Sequence, residues 1–181
     1  MPTEFEFKYV VSPDFLGRYT DDNLRALCDE VSHIKQGYLA FSRGMSCRVR
    51  CSTEHGKDRW TLTFKQKVAK RTIEVEKKLD VRDGGDLWAV AVGKLTKDRH
   101  VFHHGGVNWE LDLFRSDSET YFVMAEVELS ENSPRPDSVL PIIRPYLLYE
   151  VPLGDDRFSS KRLGDVKYAR QLYAELAVKS S

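Results

Sequence analysis

Along much of the chain, apolar and polar positions alternate with a period of two. The stretch Glu4-Phe5-Glu6-Phe7-Lys8-Tyr9-Val10 sets the pattern. On a strand it places Glu4, Glu6 and Lys8 on one face and Phe5, Phe7 and Tyr9 on the other. The apolar face needs a layer to pack on. Glu4 and Glu6 stand about 7 Å apart along such a strand, and they repel unless positive charge lies between them. Taken alone, this face is also compatible with an ordinary solvated strand surface.

The same alternation recurs. Ser46–Cys51 puts Arg48 and Arg50 on one face, and Trp60–Lys67 puts Thr61, Thr63, Lys65 and Lys67 opposite Leu62 and Phe64. Thr72–Lys77 sets Glu74 and Glu76 against Ile73 and Val75. Lys94–His103 reads as extended, with Lys97 and Arg99. Val107–Phe114 sets Glu110 and Asp112 against Trp109, Leu111 and Leu113, and Tyr121–Leu129 sets Glu126 and Glu128 against Val127 and Leu129. Turns fall at Glu54–Asp58 and at His103-His104-Gly105-Gly106.

Helical spacing is scarcer. Leu24, Leu27, Val31 and Ile34 recur as on one helix, with Asp21 or Asp22 as its cap, and Gly37 permits the turn into the next strand. Ser12-Pro13-Asp14 reads as a break. A short apolar helix is expected over Leu87–Val92, another at Ser138–Ile143 in a proline-interrupted stretch, and loop over Glu150–Leu163. Asp165–Val178 predicts an amphipathic helix with Val166, Ala169, Leu172, Tyr173 and Leu176 on one side.

Composition narrows the class. The chain has 181 residues and 41% hydrophobic content, enough for one domain with its own core. The expected domain spans 1–178, with a frayed end at 179–181. Lys plus Arg equals Asp plus Glu at 28 each, which argues against bulk attraction to nucleic acid or an anionic membrane. No apolar run reaches the length of a membrane span and the N-terminal residues lack a signal pattern, so the expectation is a soluble, cytoplasmic protein. Cys28, Cys47 and Cys51 lack metal-finger spacing. Cys47 and Cys51 would lie roughly 13 Å apart on a strand, too far to bridge.

The charged doublets sort by sign: Glu4/Glu6, Glu74/Glu76, Glu110/Asp112 and Glu126/Glu128 are acidic, and Arg48/Arg50, Lys65/Lys67 and Lys97/Arg99 are basic. So many signed doublets predict a barrel with a polar interior and helices outside, the inverse of the usual small barrel. Enclosed charges need partners. A hard divalent cation, Mg²⁺ or Mn²⁺, suits the carboxylates, and phosphate oxygens suit the Lys and Arg clusters. A polyphosphate bridging a cation meets both needs.

Glu4-x-Glu6-x-Lys8 resembles the opening signature of the CYTH superfamily, the triphosphate tunnel metalloenzymes. Lys35-Gln36-Gly37-Tyr38-Leu39, Arg48-x-Arg50, Leu62-Thr63-x-Lys65, Glu74-x-Glu76, Lys97-x-Arg99, Glu110-x-Asp112 and Glu126-x-Glu128 follow in the family's order. Glu150-Val151 and Asp155-x-Arg157-Phe158 resemble its closing loop. Two positions depart from the pattern: Pro152 stands where the family has Thr, and Ser160 where it has Asn, with Lys161 kept as a cation.

The resemblance implies an α+β fold: a closed antiparallel eight-stranded β-barrel, a tunnel with a charged interior and helices packed outside. It implies that Glu126, Glu128 and Asp112 bind metal, and that Glu4 and Glu6 hold a second metal or orient a water, with Lys8 beside them as a catalytic cation. Lys8, Arg48, Arg50, Lys65, Lys67, Lys97 and Arg99 would grip the triphosphate. Glu74, Glu76, Glu110, Tyr38, Arg157 and Lys161 are further candidates; Tyr38 either reaches the tunnel mouth or packs, and Arg157 either meets ligand or pairs at the surface.

The expected activity is metal-dependent hydrolysis of a terminal phosphoryl group, with inorganic tripolyphosphate as the first substrate. Thiamine or nucleoside triphosphate comes second and cyclisation of ATP third. A binding module that holds a phosphorylated or nucleotide ligand without turnover is the alternative. Monomer and homodimer both stay open. His33, His55, His100 and the His103-His104 pair are read as ordinary side chains.

Overall fold

The computed structural model describes residues 4–42, 44–68, 71–117, 119–130, 136 and 138–179; within these, the side chains of Glu4, Phe5, Arg71, Thr72, Ser130 and Lys179 are outside the description. Residues 180–181 of the expected frayed end and part of the proline-interrupted stretch lie outside the described residues. The elements are β1 (Glu4–Val11), α1 (Asp14–Arg18), α2 (Asp21–Leu27), β2 (Glu30–Ser42), β3 (Met45–Glu54), β4 (Lys57–Val68) and β5 (Arg71–Leu79). They continue with α3 (Val81–Val90), β6 (Val92–His104), β7 (Val107–Ser116), β8 (Glu119–Ser130), β9 (Leu147–Val151), α4 (Ser160–Leu163) and α5 (Val166–Lys179).

The strands form one nine-stranded sheet in the order β5-β4-β3-β2-β6-β7-β8-β1-β9, and the registers of β1, β3, β4, β8 and their described neighbours are antiparallel. This corrects the expected closed eight-stranded barrel: the sheet is open, with β5 at one end and β9 at the other. Alternation with period two assigns side chains to faces and carries no information about whether the end strands meet. The additional strand, β9, ends inside the stretch expected to be loop: its last two residues, Glu150 and Val151, belong to that stretch. It takes the second edge of β1, with Tyr9 opposite Glu150 and Lys8 opposite Val151.

The chain divides into two compact units, Met1–Val31 with Asp98–Ser181, and Ser32–Lys97. In the first, one face of β1, β7 and β8 carries Tyr9, Val11, Trp109, Leu111, Leu113, Val123, Ala125 and Val127, buried against Phe15 of α1, Leu24 of α2, and Leu140 and Ile143. Arg115 ties α2 to this sheet through Asp21 (2.5 Å), Asp98 (2.9 Å) and Thr120 (2.6 Å). The opposite face is mixed. Its charged end carries Lys8, Asp112 and Glu126; its apolar end consists of Val10, Phe114, Phe122 and Met124, all fully buried. Tyr173 of α5 packs on that end, its ring 4.7 Å from Phe122 and its hydroxyl donating to the Val11 carbonyl. Helices were expected only on the apolar side of the strands; α5 instead covers part of the face that holds the acidic doublets.

The expected helix through Ile34 is also corrected. Thr20, not Asp21 or Asp22, caps α2, accepting from the Asn23 N–H, and the helix ends at Leu27. Ile34 belongs to β2, where Ser32, Ile34 and Gln36 alternate as buried positions.

In the second unit, α3 lies against Val49, Cys51, Trp60 and Leu79. Asp80 caps it by accepting from the Asp83 N–H. Two glycines allow the close approach: a Cβ on Gly84 would stand 2.4 Å from the Trp60 ring, and one on Gly37 would stand 2.7 Å from Ala91 Cβ. The helix covers only one end of this apolar face. Phe64 and Val75, opposite each other across β4 and β5, remain 39% and 57% exposed, contrary to the expected full cover of helices. All three cysteines are free thiols. Among the described residues no helix is long and apolar enough to cross a membrane.

Candidate functional site

Register places the signed doublets of the first unit in adjacent rows. Glu6 of β1 stands opposite Glu128 of β8, and Lys8 opposite Glu126; Glu110 of β7 stands opposite Glu126 from the other side. Like charges directly opposite one another destabilise a sheet, and two cations offset them here. Lys8 Nζ lies 2.7 Å from Glu126 and 2.9 Å from Glu6. Arg99 of β6 donates through Nε and Nη2 to the two oxygens of Asp112, 2.7 Å each, reaches Glu126 at 3.3 Å and pairs with Glu110 through Nη1. Asp112 is fully buried and Glu126 nearly so. Burial disfavours the charged form of Lys8, but the charges of Glu126 and Glu6 outweigh it and hold the ammonium well above its ordinary range. Burial and Asp112 act on Arg99 in the same opposed way, with the same outcome.

The second unit holds a basic set on one face of β2, β3, β4 and β5. Gln36, Arg50, Thr61 and Lys78 form one cross-strand row; Tyr38, Arg48, Thr63 and Glu76 form the next; Ser46, Lys65 and Glu74 form a third. Lys65 pairs with Glu74 at 2.8 Å, and buried Thr63 meets Glu76 at 3.2 Å. Arg50 is held by Gln36, whose oxygen accepts from Nε at 3.0 Å and from Nη2 at 2.8 Å. The Nε of Arg48 is buried and has no hydrogen-bond partner among the described residues. Lys97 of β6 is fully buried, whereas Lys67 is exposed.

The sequence matches the CYTH domain family over residues 2–159. The chain belongs to the CYTH family. Structures similar to this CYTH chain include the hypothetical protein NE1496, with 24% identity, TM-score 0.56, and coverage of 90% of this chain and 97% of that one. PH1012 from Pyrococcus horikoshii OT3 has 19% identity and TM-score 0.51, covering 73% and 81%. HpAC1 from Hippeastrum, an adenylyl cyclase candidate with a dominant triphosphatase activity, has 17% identity and TM-score 0.50, covering 71% and 80%. At these identities the likeness speaks for the fold. A search of curated proteins finds no match.

Of the candidate residues in this CYTH chain, Glu6, Lys8, Arg99, Glu110, Asp112 and Glu126 form one ionic network within the first unit. Glu128 is exposed beside it, and the side chain of Glu4 lies outside the described residues. Arg48, Arg50, Lys65, Glu74, Glu76 and Tyr38 share a face within the second unit. Arg157 is exposed and makes a two-pronged pair with Asp155, 3.0 Å from Nε and 2.6 Å from Nη2. The hydrogen bond from Arg157 holds the Asp155 carboxyl below its usual range. Lys161 is half-buried on α4. Two residues of the polar face escaped the sequence reading as site members: Thr63 and Gln36. Gln36 lies inside the Lys35-Gln36-Gly37-Tyr38-Leu39 motif, and its signal was position: it sits on the same strand face as Tyr38, one cross-strand step from Arg50.

The donor chemistry around Arg99 suits a hard divalent cation, because Glu110, Asp112 and Glu126 all direct carboxylate oxygens at its guanidinium. In this arrangement the Arg99 guanidinium takes up those oxygens, and among the described residues no three His, Cys, Asp or Glu side chains are grouped to hold a metal ion. These carboxylates are organised around the guanidinium.

Proposed function

We propose that this CYTH chain hydrolyses the terminal phosphoryl group of a triphosphate, with inorganic tripolyphosphate as its first substrate. One observation carries the reading: an ionic network in which Lys8, Arg99 and Glu110 surround the buried carboxylates of Asp112 and Glu126, in a chain of this family. Burying so many charges costs several kcal/mol per ion, and a stable core alone does not require it. The triphosphatase activity of the similar HpAC1 protein points the same way.

In this reading Arg48, Arg50, Lys65, Lys67 and Lys97 bind the phosphate oxygens, Arg50 through its planar fork. Catalysis is then chiefly positioning and charge neutralisation, as in other phosphoryl transfers. Lys8 and Arg99 stay protonated across the working pH range, because their carboxylate neighbours favour the charged form. Glu4 or Glu6 orients the attacking water. Asp112, Glu126 and Glu128 would hold Mg²⁺ or Mn²⁺, which when bound supplies further neutralisation at the phosphate oxygens. The protein acts as a soluble cytoplasmic enzyme on a small-molecule triphosphate, its residues 1–178 working as one domain.

Binding without turnover is the second reading. It is favoured by the closing segment, where Asp155 already engages Arg157. A panel of tripolyphosphate, thiamine triphosphate and ATP, each with Mg²⁺ and Mn²⁺, separates the readings when phosphate and pyrophosphate are measured independently. Phosphate from tripolyphosphate supports hydrolysis; pyrophosphate with a cyclic nucleotide from ATP means cyclisation; binding with neither product means a module.

A further inference from the structure

Gln36 is fully buried on β2 and joins two side chains of the basic face. Its single oxygen accepts from both Nε and Nη2 of Arg50, and its Nε2 donates to the Tyr38 hydroxyl at 2.9 Å. Donor and acceptor chemistry leaves one orientation for this amide. A guanidinium only donates, so the amide must turn its oxygen toward Arg50 and its nitrogen toward Tyr38. The Tyr38 oxygen therefore accepts at this contact, and its proton is directed elsewhere as a donor. Backbone geometry fixes the arrangement from both sides. Gln36 stands opposite Arg50 and Tyr38 opposite Arg48 in register, and a bulge between Tyr38 and Ala40 sets where the tyrosine points.

We infer that Gln36 is a positioning residue, which holds the Nε/Nη2 edge of Arg50 so that its Nη1/Nη2 edge and the Tyr38 hydroxyl act as paired donors for phosphate oxygens; this rests on the triphosphate reading above. A neutral acceptor is the chemically appropriate choice. A carboxylate in the same place would hold the guanidinium equally well but would repel an incoming polyanion. An aliphatic side chain would remove these hydrogen bonds from the fork and from the buried tyrosine hydroxyl. Neutral fixation differs from the treatment of Arg99, which sits among three carboxylates.

A double-mutant cycle on kcat/KM for phosphate release from tripolyphosphate tests this, using the full chain. Gln36→Leu should lower kcat/KM roughly 10- to 100-fold, the range for a hydrogen bond to a charged group, and should add little to the loss already caused by Arg50→Met. Gln36→Glu should also lower it, while nitrogen-15 NMR shows the Arg50 Nε–H still protected from solvent exchange; in Gln36→Leu that protection should be lost. Should Gln36→Leu not fold, Gln36→Met serves in the same cycle. Equal losses from Gln36→Leu with and without Arg50, or Arg50 Nε–H protection unchanged in Gln36→Leu, overturn the inference alone. A wild-type protein that neither cleaves nor binds tripolyphosphate overturns the functional reading, and this inference with it.

Discussion

Arg99 faces Asp112 fork to fork, each of two guanidinium nitrogens 2.7 Å from a separate carboxylate oxygen, and Asp112 has no solvent exposure. The pair sits where the charged end of the sheet face meets its apolar end, with Met124 opposite Asp112 in register. An ion pair this buried needs both members: without Asp112 the Arg99 guanidinium loses its two-pronged partner and keeps only its contacts with Glu110 and Glu126. Asp112→Asn should therefore lower unfolding free energy by about 3–5 kcal/mol, read as a shift in the urea midpoint at unchanged slope. A loss below about 1 kcal/mol, the scale of an exposed pair, would show that water reaches the pair freely.

The contact between Gly84 and Trp60 makes a second prediction. Gly84 lies within α3 where any Cβ would overlap the indole ring at 2.4 Å. Alanine normally favours a helix over glycine by about 1 kcal/mol, so propensity alone predicts stabilisation. Steric overlap with a rigid ring should win. Gly84→Ala is expected to destabilise by roughly 1–3 kcal/mol, the usual cost of overpacking, measured by chemical denaturation. A raised melting temperature would contradict the packing.

His100 supplies a pH test. It is buried on β6, and neither ring nitrogen has a hydrogen-bond partner among the described residues. Burial pushes its pKa below the ordinary imidazole value; Asp98 and Asp21 pull upward, and Arg25 and Arg115 push further down. The folded state therefore refuses a proton that the unfolded chain accepts. Stability should fall as pH drops through about 6.5, by up to about 1.4 kcal/mol per pH unit, until the folded group protonates. His100→Leu should remove that slope between pH 5 and 6.5 and leave stability at pH 8 equal or higher, since no hydrogen bond is lost. An unchanged slope in the variant would assign the acid sensitivity to other groups.

Particular residues show what was legible in the sequence. The alternation in Glu4–Val10 and Tyr121–Leu129 assigned Lys8 to one strand face with Glu6, and Glu126 to one strand face with Glu128, because the side-chain period of a strand is local; that the two strands are neighbours came only with the pairing. Closure was not legible. Whether β5 meets another strand depends on partners distant in the chain, and β9 became a strand only by pairing with β1 across some 140 residues of sequence. The helix expected through Ile34 failed because Leu24, Leu27, Val31 and Ile34 satisfy helical spacing by chance. The competing strand pattern was hidden, since two of its buried positions, Ser32 and Gln36, are polar. Gln36 escaped notice for the same reason: a neutral amide gives no charge signal until its hydrogen bonds are seen. The two sides of α5 were readable from Val166–Leu176, but its docking beside Phe122 was not.

Glu128 offers the most direct test of the central claim, that the acidic doublets serve triphosphate hydrolysis. It is exposed, unlike Glu126, so Glu128→Gln should leave the melting temperature within about 2 °C of wild type. The decisive measurement is phosphate release from tripolyphosphate with Mg²⁺ or Mn²⁺, wild type against Glu128→Gln. Metal-dependent release by the wild type, lowered at least about 100-fold in the stably folded variant, is the predicted result. Equal release by the two proteins, or none by the wild type, would contradict it.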